Sequence, residues 1–140
     1  MPIPELRSDG YLPVGLHLAT EADVEAVFGR TTVRRQTLMR RLSYFLQLAR
    51  AAGALRFFVN GSFVAAKPEP NDVDGVCLLP VGWSTETSEA ANELYEVSVA
   101  RLPKELFLAY TETDWEDWVD FFSFTRELDG RRKGLVEVKI

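Results

Sequence analysis

Two aspartates, Asp72 and Asp74, open an apolar run that extends from Val73 to Leu79. Such a run reads as a strand, and alternation along a strand projects both carboxylates from one face. Two anions held side by side repel, and each loses solvation against apolar neighbours. A divalent cation relieves both costs. Mg²⁺ takes oxygen ligands and commonly binds one or two carboxylates together with substrate phosphates. Upstream, Gly61-Ser62 follows a second apolar and aromatic run, Leu55 to Asn60. Glycine lets a ligand approach the backbone closely, its N–H can face phosphate oxygens, and the Ser62 hydroxyl can donate as well. Phosphate donors opposite metal ligands are the minimum equipment for phosphoryl or nucleotidyl transfer. Lys67, in the loop between the two features, is a further candidate for a phosphate contact. Each feature alone also has a plainer reading: an exposed loop end, an ordinary turn, a solvated lysine.

The elements that must position these residues follow from periodicity. Residues 1–19, with Pro2, Pro4, Gly10, Pro13 and Gly15, read as an extended arm. Thr20 caps a short helix that Gly29 stops. A longer helix is expected from Thr32 to Ala52, with Leu38, Leu42, Phe45, Leu46 and Ala49 forming one apolar stripe, the arginines mostly on the other faces, and Gly53 just past its end. After the two strands comes a helix over residues 86–100, then a third strand from Glu105 to Tyr110. Thr113-Asp114-Trp115-Glu116 has capping-box spacing. The helix it opens carries Trp115, Trp118, Val119 and Phe122 on one face, a core face rather than a base-stacking surface. Gly134 to Ile140 closes the chain as a strand. The predicted class is α/β (α+β): one domain with a small mixed sheet of about four strands and helices packed on it.

Composition limits the function classes. The chain has 140 residues, 46% apolar and 26% charged, which is a globular balance with room for one core. Its one cysteine, Cys77, lies in an apolar run and reads as a buried thiol, as expected in a reducing cytoplasm. No stretch approaches the roughly 20 apolar residues of a membrane span, and Met1-Pro2-Ile3-Pro4 does not begin like a signal peptide. A net charge of −5 argues against a general nucleic-acid binder. The charge is nevertheless segregated. Seven arginines (Arg30, Arg34, Arg35, Arg40, Arg41, Arg50, Arg56) fall within residues 30–56, and five acids (Glu112, Asp114, Glu116, Asp117, Asp120) within 112–120. Two solvated helix faces account for this, as does an arginine-lined mouth for a polyphosphate or RNA end. His17, the lone histidine, stands in the arm and reads as structural.

Gly-Ser, nine residues, then Asp-x-Asp, each beside an apolar strand, resembles the signature of DNA polymerase β-like nucleotidyltransferases. The segment from Val59 to Asp74 is similar to a little-characterised bacterial family of such domains. Leu12-Pro13-Val14-Gly15 and Arg132-Lys133-Gly134-Leu135-Val136 match its early and late motifs. The resemblance implies that Gly61 and Ser62 hold a nucleoside triphosphate, with ATP the expected one. It implies that Asp72 and Asp74 bind Mg²⁺, and that a third carboxylate from a later strand completes the metal site and activates a hydroxyl. Glu105 is the best match for that third carboxylate, with Glu112 and Asp114 as fallbacks. Glutamate stands where the pattern has aspartate, and Gly75 stands where it has a β-branched residue. The implied activity moves an NMP to a hydroxyl on a protein, RNA or small molecule, with a protein partner encoded nearby or a second copy supplying the acceptor surface. The alternative is a catalytically silent domain that binds nucleotide or a protein partner, in the manner of an antitoxin.

Overall fold

The computed structural model describes residues 3–140; Met1 and Pro2 lie outside the described residues. Thr20 starts the first helix as its spacing predicts: its hydroxyl accepts from Asp23 N, and the Asp23 carboxylate accepts from Thr20 N. In chain order the elements are β1 (Leu16–Ala19), α1 (Glu21–Phe28), α2 (Val33–Ala51), β2 (Arg56–Asn60), β3 (Asp74–Leu78), α3 (Glu89–Ala100), β4 (Leu106–Ala109), α4 (Glu112–Ser123) and β5 (Leu135–Val138). A 3-10 turn, Ser62–Val64, follows β2. The strands form one mixed sheet in the order β1-β5-β2-β3-β4. β2 is antiparallel to both β3 and β5, whereas β1–β5 and β3–β4 are parallel pairs.

Alternation along the strands gives the sheet two distinct faces. Phe57, Val59, Val73, Cys77, Leu106 and Val136 turn toward α1, α2 and α3, where they meet Leu38, Leu42, Phe45 and Leu94. Phe58, Val76, Leu78 and Leu135 turn to the other face, which α4 covers with Trp115 and Phe122. Trp115 sits edge-on to Phe58 with centroids 5.1 Å apart, and Trp118 lies 5.0 Å from Phe107. The aromatic stripe of α4 is therefore core, as its spacing predicts. Cys77 is fully buried, and burial pushes its thiol pKa far up, so it is no nucleophile at neutral pH.

The mixed class is as expected, with five strands among the described residues in place of about four. The additional strand is β1, inside the stretch read as an extended arm. Four residues, Leu-His-Leu-Ala, are too short for alternation to register, and their partner β5 lies more than a hundred residues away. His17 belongs to this strand, and its Nε2 donates to the Pro13 carbonyl at 2.7 Å. The cap of α4 is Thr111 rather than Thr113: the Thr111 hydroxyl accepts from Asp114 N. Ser88 caps α3, which starts later than the polar run suggests. Gly75 has a packing reason. A Cβ there would fall onto the Phe57 ring, so glycine admits a phenylalanine from the adjacent strand.

Candidate metal and phosphate site

The site lies at the sheet end where β2 stops and β3 starts. In the β2–β3 ladder Asn60 is the register partner of Asp74, so Gly61 emerges beside the aspartates. Gly61 has φ +92°, in the region that favours glycine. A Cβ on it would come within 3.1 Å of Asp72 Oδ1 and 3.4 Å of Asp74 Oδ2. Two carboxylates and the bare backbone of the Gly-Ser turn thus converge on one spot. Gly61, Asp72 and Asp74, three of the residues predicted for the site, are brought together, and Ser62 begins the 3-10 turn next to them.

A buried arginine shapes the loop that follows. Arg35 projects inward from α2 and is 4% exposed. Its Nη1 donates to the carbonyls of Phe28 (3.1 Å) and Phe63 (2.6 Å), and its Nη2 to those of Ala65 (2.7 Å) and Lys67 (2.6 Å). Its guanidinium also lies 5.5 Å from the Phe63 ring centroid. The planar fork of donors matches a cluster of carbonyls that no ladder satisfies. Burial lowers the Arg35 pKa from its ordinary value. This residue belongs to neither an arginine-lined mouth nor a solvated face. The sequence reading missed it; the signal that could have found it is spacing, since Arg35, Leu38 and Leu42 recur three and four apart on the buried stripe.

The electrostatics single out Asp74. Its pKa is raised to about 7, first by burial, then by the charges of Asp72 and Glu105; Lys133 and Arg126 act in the opposite direction. Directly opposite residues in an antiparallel pair share a face, so Asn60 stands beside Asp74. The Asn60 amide oxygen is buried with no hydrogen-bond partner among the described residues. Exposed Arg126 and partly buried Lys133 supply the nearby positive charge, and Lys133 is the more enclosed. Burial lowers its pKa, while Asp74 and Asp72 act to raise it. Lys67, the lysine expected here, has an exposed side chain, and only its carbonyl is held, by Arg35. Sequence spacing missed Lys133 because it precedes β5, far along the chain, and only sheet pairing brings that strand alongside β2.

Glu105 does not join the aspartates as a third ligand. One step before the β3–β4 register pair Gly75–Leu106, it sits level with Asp74. Yet it is 3% exposed, and its oxygens are fully engaged. Arg41 Nη1 donates to both, at 3.0 and 2.9 Å, Arg101 Nε donates to Oε1 at 2.6 Å, and Val73 N donates to Oε2 at 3.2 Å. The fallbacks do not replace it. Asp114 caps the start of α4 by accepting from Tyr110 N, and Glu112 is an exposed residue in the first turn of the same helix. Asp117 and Asp120 are exposed. Among the described residues, no three histidines, cysteines or acids group as a ready cation site.

The residues present still fit a magnesium–phosphate group. Asp72 and Asp74 offer carboxylate oxygens, Asn60 carries an unpartnered buried oxygen, and Gly61 leaves the space that a Cβ would fill. This all-oxygen donor set suits Mg²⁺, and its small number suits a cation that keeps waters and phosphates in its shell.

No helix among the described residues is long and apolar enough to cross a membrane. No curated protein and no solved structure gives a significant match to the chain. A family of unknown function, DUF6932, matches residues 4–139, nearly the whole sequence, and the chain belongs to that family.

Proposed function

We propose that this chain binds the Mg²⁺ complex of a nucleoside triphosphate and that, with Glu105 held as it is, it serves as a nucleotide-binding module on a nucleotidyltransferase-like frame. The observation that carries the reading is the approach of both carboxylates to the Cβ-less Gly61. Asp72 and Asp74 would hold the metal, with Asn60 as an additional oxygen donor. Gly61 and Ser62 would donate to the phosphates, and Arg35 keeps their loop in place. When bound, Mg²⁺ would neutralise the carboxylates and polarise the phosphate oxygens.

The second reading is transfer of an NMP to a hydroxyl on a protein, RNA or small molecule. It is favoured by the position of Glu105 level with Asp74, where a third carboxylate would be needed. It requires Arg41 and Arg101 to release that carboxylate, as a partner protein presenting its own acid could cause. Calorimetry with Mg-ATP and with Mg-tripolyphosphate tests binding. Asp74→Ala is expected to abolish both signals, and undiminished binding would overturn the assignment. Incubation of the chain with each labelled NTP and candidate acceptors separates the two readings. Binding without label transfer supports the module; transfer that depends on Asp74 supports the enzyme.

A further inference from the structure

On the sheet face that carries Asp74, a groove of about 360 Å³ lies between α4 and the β1–β5 edge. Its floor is Leu16 and Leu135, and α4 supplies Trp115 and Val119 as a wall. Lys133 lines this groove. The β2–β5 ladder pairs Phe58 with Glu137 and Val59 with Val136. Lys133, two residues before β5, lies within electrostatic reach of Asp74 and Asp72, so the lysine links the groove to the aspartate pair. At the other end lie Arg56 and Glu112. Arg56 is already committed to Glu137 through two hydrogen bonds, at 2.8 and 2.7 Å. Along the α4 wall Asp120 is paired with Arg132, whereas Glu112 and Glu116 have no ion pair among the described residues.

We propose that this groove takes the nucleoside end of the bound nucleotide, with Lys133 spanning the phosphate chain between the groove and the Asp72–Asp74 pair. The proposal rests on the metal–triphosphate reading of that pair. Three features of the groove match a nucleoside. The volume is at the small end of ligand pockets, adequate for a base and sugar but not for a large cofactor. The partly exposed aliphatic side chains of Leu16 and Val119 suit the faces of a planar base. The free carboxylates accept hydrogen bonds only, so they select N–H and O–H donors. A base and a ribose carry such donors; an inorganic polyphosphate carries none. The lysine is a compact charge on a flexible stem, which suits a phosphate chain crossing from one feature to the other.

The test compares Mg-ATP, Mg-GTP and Mg-tripolyphosphate on the full chain. At least one nucleotide is expected to bind ten-fold or more tightly than tripolyphosphate. Val119→Trp, which fills the groove, should erase that difference and leave tripolyphosphate affinity within about two-fold. Lys133→Met should weaken both ligand types by about ten-fold. An arm without substitutions uses protein-observed NMR: the nucleotide, but not tripolyphosphate, should shift the amides of Leu16 and Val119. Equal affinities for nucleotide and tripolyphosphate, or nucleotide shifts confined to the Gly61 turn, would overturn the groove assignment alone. Loss of tripolyphosphate binding in the wild type would overturn the metal–phosphate reading beneath it.

Discussion

Asp74 and Glu105 stand level with each other at the starts of adjacent parallel strands. Both are acids at the edge of an apolar sheet, and they are opposites electrically. Glu105 meets two arginines and a backbone N–H and is completely satisfied. Asp74 faces another aspartate, an orphaned amide oxygen and the bare turn at Gly61, and its pKa is driven up to about 7. The first arrangement binds elements together: α2 through Arg41, the segment after α3 through Arg101, and the start of β3 through Val73. The second stores unfavourable electrostatics that a cation would relieve. Neighbouring positions in one sheet thus hold a paired carboxylate and an uncompensated one, and the helix packed nearby decides which is which. Arg35 and Arg41 leave the same helix, six residues apart. One props up the loop after Gly61, and the other engages the Glu105 carboxylate.

Substitutions should divide along that line. The largest effect is expected at Glu105. Glu105→Ala leaves two arginines facing a buried space and should cost about 3 kcal/mol in urea unfolding; a loss below about 1 kcal/mol would mean that the cluster is ornamental. Arg35→Met strands at least four carbonyls and should cost about 2–3 kcal/mol. It should also weaken Mg-tripolyphosphate binding, because the Gly61–Lys67 loop loses its anchor. Asp74→Asn should do the reverse and stabilise the metal-free protein. The folded-state pKa of Asp74 lies above the unfolded value of 3.8. The fold therefore favours the protonated acid, and wild-type stability falls as pH rises from about 4 through about 7. The gain from Asn should be about 2 kcal/mol at pH 8, allowing for partial exposure, and should fade toward pH 4. Thermal melts across that range check it, and saturating Mg²⁺ should stabilise the wild type more than the variant. The smallest effect is expected at Lys67. Lys67→Met should change stability by less than about 0.5 kcal/mol and leave tripolyphosphate affinity within two-fold, in contrast to Lys133→Met.

Much of this was legible in the chain. Alternation after Asp72 sets both aspartates on one face, and the break at Gly61 ends the preceding strand, because these are local consequences of backbone geometry. The helical stripes of α2 and α4 follow from their three- and four-residue spacing, although the burial of Arg35 beside the α2 stripe was not read. The meaning of Gly75 was not legible, since the reason is the Phe57 ring on the next strand. Neither was β1, whose four residues become a strand only when β5 arrives beside them. By itself the sequence determined that Asp72 and Asp74 share a face and that Gly61 breaks the preceding strand, since residue type and period suffice for that. Only the tertiary structure decided which acid is free and which lysine stands near it. A carboxylate's state depends on the charges packed against it, and those come from α2, the segment after α3 and the strand at the far end of the chain.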